Sequence, residues 1–245
     1  MKLTKRVAAI AAAGALTFTG AVAVSVNNSD AASAAGCDSW SSTLRKSSRG
    51  AAVKELQIRV AAFVPSGQVM GTDGVYGDQT VAAVRGFQKA YGLTADGVAG
   101  TKTFSKLRSL TSSDCTPIHF TYREASNNCG KGFTGNSWHK ANLRRSLWQA
   151  EGLRRKMGDK PLKITSGYRD PACDRSVGGS GSGMHTTGMA IDFVPMGSQT
   201  YCSITKAATR NGYGGIFGPG YPAHSDHVHA DWRSGKIWSA SKCGV

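Results

Sequence analysis

The chain has 245 residues, 40% of them hydrophobic and 18% charged, which is the balance of a folded protein and excludes a disordered or fibrous one. Its 30 Lys and Arg against 15 Asp and Glu give a formal net charge of +15, so anionic partners are expected. Past the N-terminus no stretch is long and apolar enough to cross a bilayer, so stable membrane insertion is not expected.

The first predicted element is an export signal. Lys2, Lys5 and Arg6 precede a mostly apolar run from Val7 to about Val26, and the small residues of DAASAAG follow. Cleavage after Ala34 would make 1–34 a signal peptide and the mature protein secreted. An uncleaved anchor fits less well, because Gly14, Thr17, Thr19, Gly20 and Ser25 dilute the run. A lipoprotein at Cys37 fits less well again, because Asp30 separates that cysteine from the run. All 6 cysteines, Cys37, Cys115, Cys129, Cys173, Cys202 and Cys243, follow the cleavage point, and an even number in an exported chain reads as disulfides. There is no C-x-x-C pair for a thiolate zinc cluster or a thioredoxin-like motif. Many pairings remain open. If each half is stapled within itself, the simplest set is Cys37 to Cys115, Cys129 to Cys173 and Cys202 to Cys243. In an exported protein the positive charge points to wall polymers and anionic surfaces. No nucleic-acid partner is expected, since no reading motif for one is present.

Between Cys37 and about Ser112 the hydrophobic spacing is helical. Val53, Leu56, Val60 and Phe63 form one stripe, and Val81, Val84, Phe87 and Tyr91 another. An internal echo accompanies them: DGVYGDQT (Asp73 to Thr80) and DGVAGTKT (Asp96 to Thr103) share D-G-V-x-G-x-x-T. Asp-Gly makes the turn, and Asp78 or Thr101 is placed to cap the helix that follows. Gly50, Leu56-Gln57, Asp73-Gly74, Gly77, Thr80, Phe87-Gln88, Asp96-Gly97, Gly100, Thr103 and Leu107 together resemble the small helical peptidoglycan-binding domains attached to bacterial wall hydrolases. The resemblance implies an all-α three-helix peptidoglycan-binding domain over 35–112 that holds cell-wall polymer.

The polar TSSDCTP separates this segment from a second domain, 113–245. There Ala141 to about Met157 reads as an amphipathic helix with Leu143, Leu147, Ala150, Leu153 and Met157 inward and Gly158 at its stop. Arg144, Arg145, Arg154 and Arg155 are expected to form its solvated face. LKITSGY, MAIDFVP and DHVHADW read as short strands, with the Gly/Ser-rich SVGGSGSG between the first two and GPGYPAH before the third. Interrupted short strands with helices grouped elsewhere favour an α+β fold.

A catalytic zinc ion requires three protein ligands, an open position and a base nearby. In SGMHTTGMAID, His185 and Asp192 provide two such ligands. In DHVH the strand period of two sets His227 and His229 on one face, so either could be the third. Arg169 in SGYRD presents a planar fork suited to a carboxylate, a salt bridge to a neighbour such as Asp170 being the alternative. A fork beside a zinc site suggests hydrolysis of a peptide bond near a free C-terminal carboxylate.

S-G-Y-R, V-G-G-S-x-S-x-x-H-x-x-G-x-A-x-D and D-H-x-H, in this order, resemble the zinc D-Ala-D-Ala carboxypeptidases, above all the secreted two-domain type. The resemblance implies a metallopeptidase domain of the fold shared by Hedgehog and the vancomycin-resistance dipeptidases. It implies Zn2+ held by His185, Asp192 and His229, with Asp226 as general base, His227 as donor to the oxyanion and Arg169 as clamp on the substrate carboxylate. Strand alternation would point Asp226 away from its neighbour His227, so Asp226 has to sit at the strand entrance. Gly183 departs from the family pattern, which commonly has Ser two residues before the first zinc histidine. His224 is expected at most on the rim of the cleft, and His119 and His139 are expected to be structural. The expected activity is removal of the terminal D-Ala from peptidoglycan stems by a monomer. A muralytic endopeptidase and a non-catalytic wall-binding protein are the alternatives.

Overall fold

A computed structural model describes residues 36–245; the expected signal peptide, 1–34, lies outside the described residues. Helices α1 (Ala51–Val60), α2 (Asp78–Ala90) and α3 (Thr101–Ser109) form around one core. Val53, Leu56, Val60, Val84 and Phe87 from the two apolar stripes meet Trp40, Tyr76, Phe104 and Leu107 there. The sequence echo is a structural one. Gln57 reaches over the first turn: its Nε2 donates to Asp73 Oδ1 (2.9 Å), the Val75 carbonyl (3.0 Å) and Thr80 Oγ1 (3.1 Å), and its Oε1 accepts from Gly74 N (2.9 Å). Gln88 does the same over the second, with Asp96 (2.9 Å), Val98 (2.9 Å), Thr103 (3.1 Å) and Gly97 N (2.9 Å). Asp78 and Thr101 do not cap: the N-cap positions are Gly77 and Gly100, with no side-chain bond. The acid earlier in each turn takes the backbone instead, Asp73 from Val75 N and Asp96 from Val98 N.

The second part adds α4 (Tyr122–Ala125), α5 (Ser137–Lys156), α6 (Pro171–Ser176) and α7 (Tyr201–Ala208). Its strands are β1 (Lys163–Ser166), β2 (Ala190–Val194), β3 (Gly215–Phe217), β4 (Val228–Asp231) and β5 (Ile237–Ser239). They stand in the order β1-β2-β4-β3-β5, antiparallel except for the parallel β3 and β5 pair. β1, β2 and β4 lie within the three expected strand segments, while β3 and β5 had no alternating pattern to announce them. Helix α5 starts earlier than its apolar period suggests, because the Asn136 side chain accepts from Trp138 N and His139 N and caps it.

One face of α5 lays Leu143, Leu147, Ala150 and Leu153 on Ile191, Phe193, Ile216 and Val228 of the sheet. The opposite face is not solvated, contrary to expectation. Trp148 enters the core of the first part, Arg145 and Arg154 are buried, Arg144 pairs with Glu55 of α1 (2.7 Å), and Arg155 Nε donates to the Ala90 carbonyl at the end of α2 (2.8 Å). A Cβ on Gly152 would stand 2.1 Å from that of Ala62, so glycine is what admits this approach. A helical period shows which residues are polar and does not show that another domain covers them. The disulfides pair Cys37 with Cys115, Cys129 with Cys173 and Cys202 with Cys243, the sequential set.

Candidate metal centre

Sheet register assembles the site. In the β2 and β4 ladder Asp192 stands opposite His229, and in the β1 and β2 ladder it stands opposite Ser166. His185 enters from the loop between α6 and β2. Its Nδ1 lies 2.6 Å from the carbonyl of Gly167, and the Arg169 N–H donates back to the His185 carbonyl at 3.2 Å. Gly167 is required at this crossing, since a Cβ there would stand 2.3 Å from the Ala125 carbonyl oxygen.

His185 Nε2, Asp192 Oδ1 and His229 Nδ1 form a triangle with three sides of 3.1 Å. All three residues are buried. The carbonyl of Gly167 can only accept, so His185 carries its proton on Nδ1 and presents a bare Nε2. Asp231 Oδ2 lies 2.8 Å from His229 Nε2 and, in the same way, leaves a lone pair on Nδ1. Two nitrogen lone pairs and a carboxylate oxygen thus converge, a donor set that only a cation can satisfy. Ligands of tetrahedral zinc at bond lengths of about 2.0–2.1 Å stand about 3.4 Å apart, so the triangle fits zinc with a small expansion.

The charges around it are matched. Arg169 spans the second oxygen of the ligand carboxylate, with Nη2 on Asp192 Oδ2 (2.7 Å), Nη1 on Asp174 Oδ1 (3.1 Å) and Nε on Ser166 Oγ (2.7 Å). These bonds use three of its five N–H groups and leave one on each Nη. Burial alone would raise the Asp192 carboxyl, but the rings of His185 and His229 hold it well below the usual range. Burial would lower His229, yet Asp192 and Asp231 push it up to about 9. Without a metal, that proton occupies the place of the cation. Asp231, which itself accepts from Arg233 Nε (2.8 Å), and Asp174 escaped the sequence reading. An acid two residues past a candidate ligand on the same strand was the available signal for Asp231.

A cleft of about 800 Å³ opens over the triangle, lined among others by Arg169, His185, His227 and His229. His227 Nε2 stands 3.9 Å from Asp192 Oδ1, so of the expected residues Arg169, His185, Asp192, His227 and His229 are brought together. Asp226 is not a lining residue. It lies in the turn ahead of β4, its side chain 83% exposed, with Oδ1 2.9 Å from His227 Nδ1. That hydrogen bond holds its carboxyl below the ordinary range, so it is ionised and able to accept a proton. His224 sits on the wall with its ring centroid 4.6 Å from that of His227. His119 pairs with Glu151 (3.0 Å) and His139 closes a capping box with Asn136, both structural. At Gly183 the nearest atom to a built Cβ is Ser180 Oγ, at 4.0 Å, and Ser180 lines the cleft. A hydroxyl is therefore present in that wall, supplied from elsewhere in the loop.

A family model described as Peptidase M15 matches residues 118–231, and one described as a putative peptidoglycan binding domain matches 49–107. A zinc D-Ala-D-Ala carboxypeptidase from Streptomyces albus G is 41% identical over 242 residues, covering 97% of this chain and 92% of its own. Two shorter likenesses are to Bacillus licheniformis proteins. A probable N-acetylmuramoyl-L-alanine amidase is 47% identical over 60 residues, 24% of this chain and 17% of its own. The amidase CwlL is 41% identical over 66 residues, 25% and 18%.

Proposed function

Because the chain belongs to the peptidase M15 family, at 41% identity to a zinc D-Ala-D-Ala carboxypeptidase over nearly its whole length, we propose that it hydrolyses the terminal D-Ala-D-Ala bond of peptidoglycan stem peptides. Zinc is its cofactor. The observation that carries this reading is the triangle of His185, Asp192 and His229. Bound there, zinc supplies Lewis acidity to the scissile carbonyl and lowers the pKa of water.

The chain's own residues take the other roles. Arg169, with one N–H left on each Nη, grips the C-terminal carboxylate and sets the penultimate carbonyl over the triangle. His227 is held through Nδ1 by Asp226 at rest and faces the site with Nε2; once Asp226 turns to the water, the ring proton can sit on Nε2 and be donated to the oxygen on which negative charge develops. Asp226 is the acceptor for the proton of the attacking water, which requires it to exchange its bond with His227 for one with that water. Asp231 fixes the tautomer and tilt of His229. The first part, 35–112, acts as a three-helix wall-binding module and delivers the cleft of 113–245, a Hedgehog-like domain, to its polymer. The protein is secreted after loss of 1–34 and works as a monomer.

Digestion of purified wall peptides followed by mass spectrometry tests the reading. Loss of a single alanine, abolished by a chelator and restored by zinc, is the expected result. Split cross-links with intact D-Ala termini would overturn it in favour of an endopeptidase.

A further inference from the structure

A second cleft, of about 670 Å³, lies on the seam between the two parts and away from the metal triangle. The 67–72 loop of the first part forms one wall; Arg145 of α5 and the segment after β4 form the other. Arg145 is only 5% exposed. Its Nη2 donates to the Met70 carbonyl (2.6 Å) and its guanidinium lies 4.0 Å over the Trp232 ring. Among the described residues, Nε has no hydrogen-bond partner and no carboxylate is paired with the group. A buried guanidinium without a counter-charge is costly; the other two buried arginines among the described residues, Arg59 of α1 and Arg154 of α5, each have a carboxylate on Nε, Glu55 (2.8 Å) and Glu151 (3.2 Å). Burial alone lowers its pKa to about 10, so it keeps its charge at neutral pH.

The cleft does not end at Arg145. Lys236 lines it and also lines a third cleft of about 690 Å³, where Lys206, Arg210 and Trp238 follow. No Asp or Glu side chain lines either one; the carboxylate of Val245, which accepts from Ala240 N (2.7 Å), lies among the cations of the third cleft. A buried cation at one end and exposed cations spaced beyond it describe a track for a chain, where a lone ion would need only the first.

We propose that this track, anchored at Arg145 and continued by Lys236, Arg210 and Lys206, binds an anionic wall polymer through its phosphate or carboxylate groups. That the polymer belongs to the wall rests on the function proposed above; the anion site itself does not. Trp232 ties the track to the catalytic sheet, because it follows Asp231 and its Nε1 donates to Ser146 Oγ (2.9 Å).

The zinc-loaded full chain is titrated at fixed ionic strength with poly(glycerol phosphate), with polygalacturonate and with single-stranded DNA of matched charge. At least one of the first two is expected to bind the parent protein, and the one that binds identifies the group. Ser234→Glu sets a carboxylate on an exposed position of the cleft wall and should weaken that binding about tenfold or more. Arg145→Gln should do the same where it folds. Absence of binding, binding undiminished in Ser234→Glu, or equal binding of DNA to parent and variant would each overturn the proposal. Cleavage of a free peptide ending in D-Ala-D-Ala should be the same in parent and Ser234→Glu. A parent that cleaves this peptide without binding polymer loses only the track, whereas one that binds polymer without cleaving loses only the catalytic reading.

Discussion

The two parts of the molecule solve the burial of polar groups in opposite ways. In the first, Gln57 and Gln88 are neutral, and each closes its network on a single turn, 16 to 23 residues ahead for Gln57 and 8 to 15 for Gln88, with every amide hydrogen and oxygen accounted for there. In the second, Asp192 and His229 meet through strand register while His185 and Arg169 reach them from loops, across as many as 44 residues of chain, with three lone pairs left facing one another. A network closed among its own side chains stabilises whenever the fold forms. The converging one is completed by an ion, which makes stability and function inseparable there.

The sharpest way to break the contrast is Asp192→Ala. Removing the carboxylate leaves Arg169 paired with Asp174 alone and the triangle with two donors, so activity should fall by ~10³-fold or more. Metal analysis of the purified variant should find zinc gone while the helical signal of the first part persists. Asp226→Asn should separate binding from chemistry, with zinc retained and turnover down by ~10²–10⁴-fold. Retained turnover would remove Asp226 from the base role.

On the neutral side, Gln88→Ala strips four hydrogen bonds at once and should cost ~2–4 kcal/mol in thermal unfolding with zinc content unchanged. Gln57→Ala should cost nearly the same, since its four distances match. A large inequality would mean the two turns are alike in shape only.

The metal side also carries a pH dependence. In the metal-stripped protein His229 is raised from 6.5 to about 9, so the folded state holds this proton more tightly than the unfolded one. The resulting stability, at most about 3 kcal/mol, is fully present below pH 6.5 and lost as pH rises through 9. Denaturant titrations of stripped and zinc-loaded protein across that range should diverge, the loaded curve staying flatter.

The same contrast explains what could be read from residues alone. In the first part the helical stripes and the paired turns were legible because they repeat, but the hydrogen bonds were not: Asp73 and Asp96 hold the turns in place of the expected caps at Asp78 and Thr101, and the amides of Gln57 and Gln88 stood only as motif positions. In the second, β1, β2 and β4 carried alternating patterns and chemical motifs, and the three ligand positions followed from family likeness. Segment GIF of β3 and IWS of β5 are too short to show a period; β3 becomes a strand because β4 is there to pair with, and β5 because β3 is. Asp231 looked like one more acid, and Arg145 like a surface cation, because neither strand partners nor a covering domain are visible from local spacing. Asp226 shows the limit from the other side: its motif is plain, yet its place in the turn ahead of β4 is a property of the loop.

The three disulfides also impose an order in time. Their loops, 37–115, 129–173 and 202–243, follow one another without crossing or nesting. A chain emerging from its N-terminus can close each loop before the first cysteine of the next is available. Wrong partners are thus kept apart by sequence of arrival, and the native pairing can form with little need for reshuffling.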